Sequence, residues 1–217
     1  MRGMIRGMRR MAEATKRKDK RLPSHERRKV ILEAARFTFQ EKGYHDAHME
    51  LIASRANVTK PILYRHFPSK LKLLVAVIDQ VGENLIAAIS EPLGEDMDWR
   101  ASIQHDIRAY LDFIEKYGAG YILLYSVGLS LDQEVSEHIN MIRKAIVRVL
   151  KERITYFTDT NRVSAEEIEL TAAMLAGMVE HAALFWLGEK KISRRTCEEN
   201  LVRAVTGVLA GLPPRPR

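Results

Sequence analysis

An all-α fold is predicted, and three observations carry it. Apolar residues recur at the 3.6-residue period of a helix in one segment after another, no stretch alternates polar and apolar as a strand does, and Gly, Pro or a capping Ser or Thr punctuates the chain at helix-length intervals. The 217 residues, 46% of them hydrophobic, suffice for one large or two small domains with a real core. No internal repeat is visible.

The elements follow in order. Ser24 stands as N-cap of a first helix whose apolar face is Ile31, Leu32, Ala34, Ala35 and Phe39, and Gly43 stops it. A short second helix spans about Met49 to Arg55, capped by Asp46 or His48, and buries Leu51 or Ile52 with Ala53 and Ala56. Asn57 falls where a tight turn needs a left-handed backbone, which Asn tolerates better than most residues. Thr59 caps a third helix, Lys60 to Phe67, with Pro61 in the first turn, where an amide N–H has no helical partner. Pro68 ends it, and Ser69 caps the next, with Leu71, Leu74, Val75 and Ile78 on its apolar side.

A polar loop from Pro92 to Asp98 precedes an amphipathic run through Trp99, Ile103, Ile107, Tyr110, Leu111, Phe113 and Ile114 that ends at Gly118 and Gly120. Tyr121 to Leu131 is almost wholly apolar and reads as buried on most sides. Gln133 to Phe157 is amphipathic, Thr158 to Val163 is a loop, and the Ser164–Glu167 spacing of a capping box opens a helix to about Gly188. A last helix runs from Ser193 to about Gly211, leaving residues 212–217 as a loose tail rich in Pro and Arg.

The net charge of +7 conceals an asymmetry. Residues 1–72 hold 19 Lys and Arg against 7 acids, whereas residues 73–217 hold 16 against 21. Only the front third suits a polyanion, because cationic side chains gain affinity by displacing counterions from phosphate. Residues 1–21 alone hold nine Lys and Arg and two acids, with Met1, Met4, Met8 and Met11 at helical spacing. A basic amphipathic helix and a disordered arm both fit, and a disordered arm is expected in the free protein. One Cys excludes a disulfide within the chain, no apolar run approaches the ~18 residues of a membrane span, and the basic N-terminus lacks the apolar segment of a secretory signal. A soluble cytoplasmic protein without membrane contact is therefore expected.

Helix, tight turn and helix over about residues 46–67 match the spacing of a helix-turn-helix, whose second helix enters the DNA major groove. Lys60 suits a guanine edge or a phosphate, Pro61 and Ile62 suit a thymine methyl, and Tyr64, Arg65, His66 and Lys70 supply phosphate donors. Leu63 and Phe67, four apart, point to the core. The stretch Ile31-Leu32-Glu33-Ala34-Ala35, Phe39, Gly43-Tyr44, Ile52-Ala53, Ala56-Asn57-Val58-Thr59-Lys60, Leu63-Tyr64-Arg65-His66-Phe67 and Ser69-Lys70 resembles the N-terminal DNA-binding domain of the TetR family of bacterial transcriptional regulators. The likeness covers about residues 27–75; the remainder matches in length and helical layout.

That resemblance implies a homodimeric one-component repressor, released from double-stranded operator DNA when a small-molecule effector enters a C-terminal helical domain. It places base-reading positions on Met49, Glu50, Lys60, Pro61 and Ile62, and phosphate-holding positions on His48, Tyr64, His66 and Lys70. Three residues depart from the family pattern: His48 stands where many members have Thr, Glu50 where many have a basic residue, and Asn57 where Gly is common. The expected layout is a basic arm (1–21), a helix-turn-helix domain (22–70), a helical effector-binding and dimerisation domain (71–211) and the tail.

Tyr110, Phe113, Tyr117, Tyr121 and Tyr125, with His181, Phe185 and Trp186, are the candidate lining of an effector cavity for a lipophilic ligand with a polar end, though each also suits a plain core. Ala172, Ala176, Val179 and Ala183 on one late helix, and Leu201, Ala204, Val205 and Val208 on the last, join other small and apolar residues on more than one face, more than a single stripe needs. They are the candidate dimer interface, deeper burial within one chain being the alternative. No H-E-x-x-H, C-x2-C, G-x-S-x-G or glycine-rich phosphate loop occurs, so no enzyme, metal or cofactor is expected; His105, His138, His181 and Cys197 read as structural or surface residues. Two rival functions remain: a helical lipid carrier or enzyme whose basic N-terminus binds membranes, and a nonspecific nucleoid-type DNA binder.

Overall fold

A computed structural model describes residues 23–92, 97–126, 132–189 and 191–215, with backbone alone for 119–126. The described residues form eight α-helices: α1 Ser24–Asp46, α2 Met49–Arg55, α3 Lys60–His66, α4 Lys70–Ile89, α5 Trp99–Ser126, α6 Gln133–Phe157, α7 Ala165–Gly188 and α8 Arg194–Leu209. No strand occurs among the described residues; a single bridge joins Thr158 to Pro214. The basic arm of residues 1–21 lies outside the described residues.

Helices α1 to α3 make a small head around Ile31, Ala35, Phe39, Ile52, Leu63 and Phe67, all buried. Gly43 breaks α1 as expected, at φ 72°, a conformation that lacks steric cost only without a Cβ. Asn57 carries the left-handed turn between α2 and α3 at φ 52°, and the Val58 N–H donates to the Ala53 carbonyl at 3.0 Å to close it. Caps are fewer than expected. Ser24 is the first residue of α1 rather than its cap, and His48 and Thr59 occupy N-cap positions without a side-chain hydrogen bond. Ser69, Ser164 and Ser193 do cap, Ser164 with Glu167 as a full capping box.

The larger body packs α4 against α5 and α6, α6 against α7, and α5 against α8. Helix α5 does not stop at Gly118 and Gly120 but runs on to Ser126, because propagating an established helix through a glycine costs only ~1 kcal/mol. The close approach of Leu187 gives Gly118 a packing role, since a Cβ there would lie 3.2 Å from its Cδ2. Nor is the tail loose through residue 215: the Asp159 N–H donates to Pro213 and the Arg215 N–H to Phe157, both at 2.9 Å, strapping it across the end of α6.

The head joins this body at two places. Helix α1 packs on both α4 and α5. On the first side Lys70 Nζ donates to the Tyr44 and His45 carbonyls at 2.7 and 3.0 Å; on the second the buried Arg36 guanidinium, paired with Glu33 at 2.7 Å, lies 5.6 Å from the Tyr117 ring.

Candidate nucleic-acid interface and effector cavity

On α3, Leu63 faces the core and therefore turns Lys60, Pro61, Tyr64 and Arg65 outward, with Thr59 at its start; all five are exposed, and Ile62 is half-buried. Of the proposed base readers on α2, Glu50 is exposed and Met49 is not. Met49 is 6% exposed because the first turn of α2 lies against the head core, so its side chain packs beneath the outward face rather than on it. His48 is exposed beside them. Glu50 and Lys60 form an ion pair between the starts of α2 and α3. That contact holds the Glu50 carboxyl below its ordinary range and lifts the Lys60 ammonium above its own.

Two phosphate candidates are otherwise employed. The Lys70 ammonium is held by the Tyr44 and His45 carbonyls and sits 4.5 Å from the Tyr44 ring, closing the turn that Gly43 opens. The His66 side chain is half-buried, and its Nε2 is buried without a hydrogen-bond partner. Burial, then the charges of Arg65, Arg27 and Arg28, push its imidazole below the usual pKa. Arg27 and Arg28, in the first turns of α1, form a basic rim that the motif did not mark: Arg28 lies 4.8 Å over the Phe67 ring, far in sequence but adjacent in space. Arg55, with no role expected of it, ties α2 to α1 through Thr38 at 3.1 Å and Glu41 at 2.6 Å.

In the helical body two adjoining cavities of about 360 and 240 Å³ share Asp106, Ile107, Leu150 and Val179 as walls. The larger is lined by Trp99, Ile103, Ile154, Phe157, Leu175, Val205 and the strap residues Leu212, Pro213 and Pro214. Of the aromatic residues proposed for the effector site, Tyr110 lines the smaller cavity, and Phe113, Tyr117, His181, Phe185 and Trp186 line neither. Phe113 is buried in the core with the Tyr117 ring tilted against it at 4.8 Å between centroids, His181 and Phe185 are exposed, and the Trp186 Nε1 donates to the Ile192 carbonyl at 3.1 Å. The side chains of Tyr121 and Tyr125 lie outside the described residues. The difference has a plain cause: aromatic content marked the candidate residues, while these two cavities are walled mainly by aliphatic residues of α5 to α8.

One polar cluster interrupts those walls. Arg153, largely buried, reaches the Ile89 and Glu91 carbonyls at 3.2 and 2.5 Å and approaches Asp106 at 3.4 Å. Burial raises the Asp106 carboxyl above its ordinary pKa, against the lowering effect of Arg153 and His105. Among the described residues no cluster of His, Cys, Asp and Glu is suited to a metal. Cys197 is buried, and burial pushes its thiol up, the opposite of what a reactive thiolate needs.

The expected dimer interface divides. Ala172, Ala183, Leu201 and Val205 are buried within this chain's own core, because α7 and α8 pack on α6, α5 and each other; Ala176 and Val179 are half-buried cavity walls. Ala204 and Val208 face outward, and so do three residues outside that expectation: Leu170, Met174 and Phe185, 63, 59 and 57% exposed on one side of α7. Only 17% of the most apolar stretch of α7 is buried, although by length and composition the helix would suffice to cross a membrane.

The family model described as "Bacterial regulatory proteins, tetR family" matches residues 31–77, and "Tetracyclin repressor-like, C-terminal domain" matches residues 99–208. The chain is 31% identical to the HTH-type transcriptional activator FasR of Mycolicibacterium smegmatis over 91% of its length and 89% of the relative's. It is 24% identical to the uncharacterized HTH-type transcriptional regulator YhgD of Bacillus subtilis over 77% and 87%. In fold it resembles a TetR-like regulator from Rhodococcus sp. RHA1 (TM-score 0.70, 24% identity, 88% and 100% covered). The fatty acid degradation regulator FadR from Bacillus halodurans is similar too (TM-score 0.69, 20% identity, 85% and 98% covered).

Proposed function

Because this chain belongs to the TetR family of bacterial regulatory proteins, and is thus a helix-turn-helix transcriptional regulator and not an enzyme, we propose that two copies grip a near-palindromic operator in the cytoplasm under the control of a small lipophilic effector. The carrying observation is the outward face of α3, where Lys60, Pro61, Tyr64 and Arg65 stand free of the core beside Glu50 and the basic rim of α1. In this reading Lys60 and Ile62 read base edges, Tyr64 and Arg65 hold phosphates, and Arg28 extends the backbone grip. The apolar side of α7, continued by Ala204 and Val208 of α8, supports the homodimer: an uncovered patch of that kind on a soluble chain calls for a partner.

The effector enters the paired cavities, its apolar body against Ile103, Ile107 and Leu150 and its polar end at the Asp106–Arg153 cluster. The words "fatty acid degradation" in the Bacillus halodurans protein's name agree with a lipophilic ligand. Helix α6 relays the event. Its C-terminal half walls the cavities, while its N-terminal half holds α4 through Glu134 to Lys72 at 2.6 Å, His138 to Asp79 at 2.7 Å and Ile142 against Gly82. A shift of α6 thus moves α4 and changes the spacing of the two reading helices, so that effector and operator each weaken the other's binding. Release of a repressor is our first reading of the sign; the name of the Mycolicibacterium relative favours activation as the second.

Selection of random duplex DNA by the purified chain tests the proposal. A near-palindrome with half-site centres about one helical turn, roughly 34 Å, apart is expected. Enrichment of no sequence, or vesicle binding in its place, overturns it. A promoter fusion at the selected site then decides the sign, since removing a repressor raises expression and removing an activator lowers it.

A further inference from the structure

Glu50 is the anomaly of the DNA-facing surface: an exposed carboxylate beside Lys60 and His48, where any phosphate would repel it. It is also paired. Its carboxylate accepts from the Lys60 ammonium across the mouth of the helix-turn-helix, with 61 and 52% of the two side chains exposed. We infer that Glu50 and Lys60 act as one composite reading head that selects a G·C base pair in each half-site, and that Glu50 at the same time screens Lys60 from unspecific phosphate binding. This inference rests on the DNA-binding function proposed above.

The chemistry is that of the groove edge. A G·C pair shows the guanine N7 and O6 acceptors and, beside O6 on the opposite base, the cytosine N4 amino donor. The Lys–Glu pair offers the complementary order, an ammonium donor adjacent to a carboxylate acceptor. Lys60 turns to N7 and O6 while Glu50 takes the N4 hydrogen, and the two charges stay in contact. Adenine meets the ammonium with N7 alone and sets its own amino group against it. An exposed ion pair of this kind is weak enough for DNA to rearrange. On a non-cognate sequence the balance reverses: Lys60 cannot leave for a phosphate without stranding Glu50 in the negative field of the backbone. The Tyr64 ring, 5.9 Å from the Lys60 nitrogen, flanks the ammonium on its α3 side and limits where it swings.

The test uses the full chain and its variants Glu50→Gln, Lys60→Met and the double variant. All substitutions fall on exposed side chains. Each protein selects from a random duplex library and is titrated against the selected duplex and a mixed-sequence 30-base-pair duplex at several salt concentrations. The wild type is expected to enrich one invariant G·C pair per half-site, preferred over A·T by about tenfold or more. Glu50→Gln is expected to lose most of that preference while binding mixed-sequence DNA several-fold tighter, with a salt slope steeper by about one ion. The double variant should lose no more discrimination than either single change. An unchanged G·C preference in Glu50→Gln, additive losses in the double variant, or an enriched A·T pair lost on Lys60→Met overturns the composite reading while leaving the regulator intact. A wild type that enriches nothing overturns both.

Discussion

Lys70 and His66 illustrate why single residues mislead when read without their neighbours. Both were expected to hold phosphate, yet the first is held by two carbonyls and the second has its Nε2 buried. Lys70→Met is accordingly expected to lower stability by ~1 to 2 kcal/mol by releasing the turn after Gly43. The salt slope of DNA binding should stay the same; a slope flatter by about one ion would restore the phosphate role. His66 makes a pH prediction. Its folded pKa lies below the free value, so the unfolded chain takes up the proton first, and the stability that neutral His66 supports is present above about pH 6.5 and lost as the pH falls below it. His66→Gln should therefore flatten the fall in melting temperature between pH 7 and 5.5, and equal falls in both proteins would contradict this. What could be read from the residues was chemistry that depends on few neighbours, such as Asn57 in its left-handed turn. Whether a cation was already occupied depended on carbonyls 25 and 26 residues away, and no local pattern encodes that.

At the scale of elements, helix ends marked by a Ser cap or a Pro were legible to within a residue or two, as α3, α4, α7 and α8 show. Gly118 was not, because a glycine is tolerated within a helix when a neighbouring side chain takes up the space, here Leu187. The same reasoning makes Gly82 a sensitive point. A Cβ there would lie 2.4 Å from the Ile142 Cδ1, so Gly82→Ala should separate α4 from α6 and cost ~1 to 2 kcal/mol despite the better helix propensity of Ala. Partial recovery in the double variant Gly82→Ala, Ile142→Ala would confirm the contact, and full stability of the single variant would refute it. The strap is a second element that composition misjudged, since a Pro-rich end suggests a free tail while two backbone hydrogen bonds fasten it. Truncation after Gly211 should open the larger cavity, lower the melting temperature by several degrees and raise binding of an environment-sensitive apolar dye.

For the molecule as a whole, the two-part plan was visible in the charge asymmetry, but the division of α7 into inward and outward sides was not. Small residues fit either a core or an interface, and only packing separates Ala172 from Met174. Met174→Glu should yield monomers by sedimentation and weaken palindrome binding by more than a hundredfold while retaining helix content; a dimer that survives would move the interface elsewhere. One feature governs how such a dimer moves. The head is fastened to the body twice, by α4 and by α5, as a door is hung on two pins. A part held at two points has lost its freedom to wobble and keeps a single axis of rotation, the line through both attachments. In the proposed dimer each DNA-reading helix would then travel on a fixed arc, and an effector would set only how far along that arc it rests.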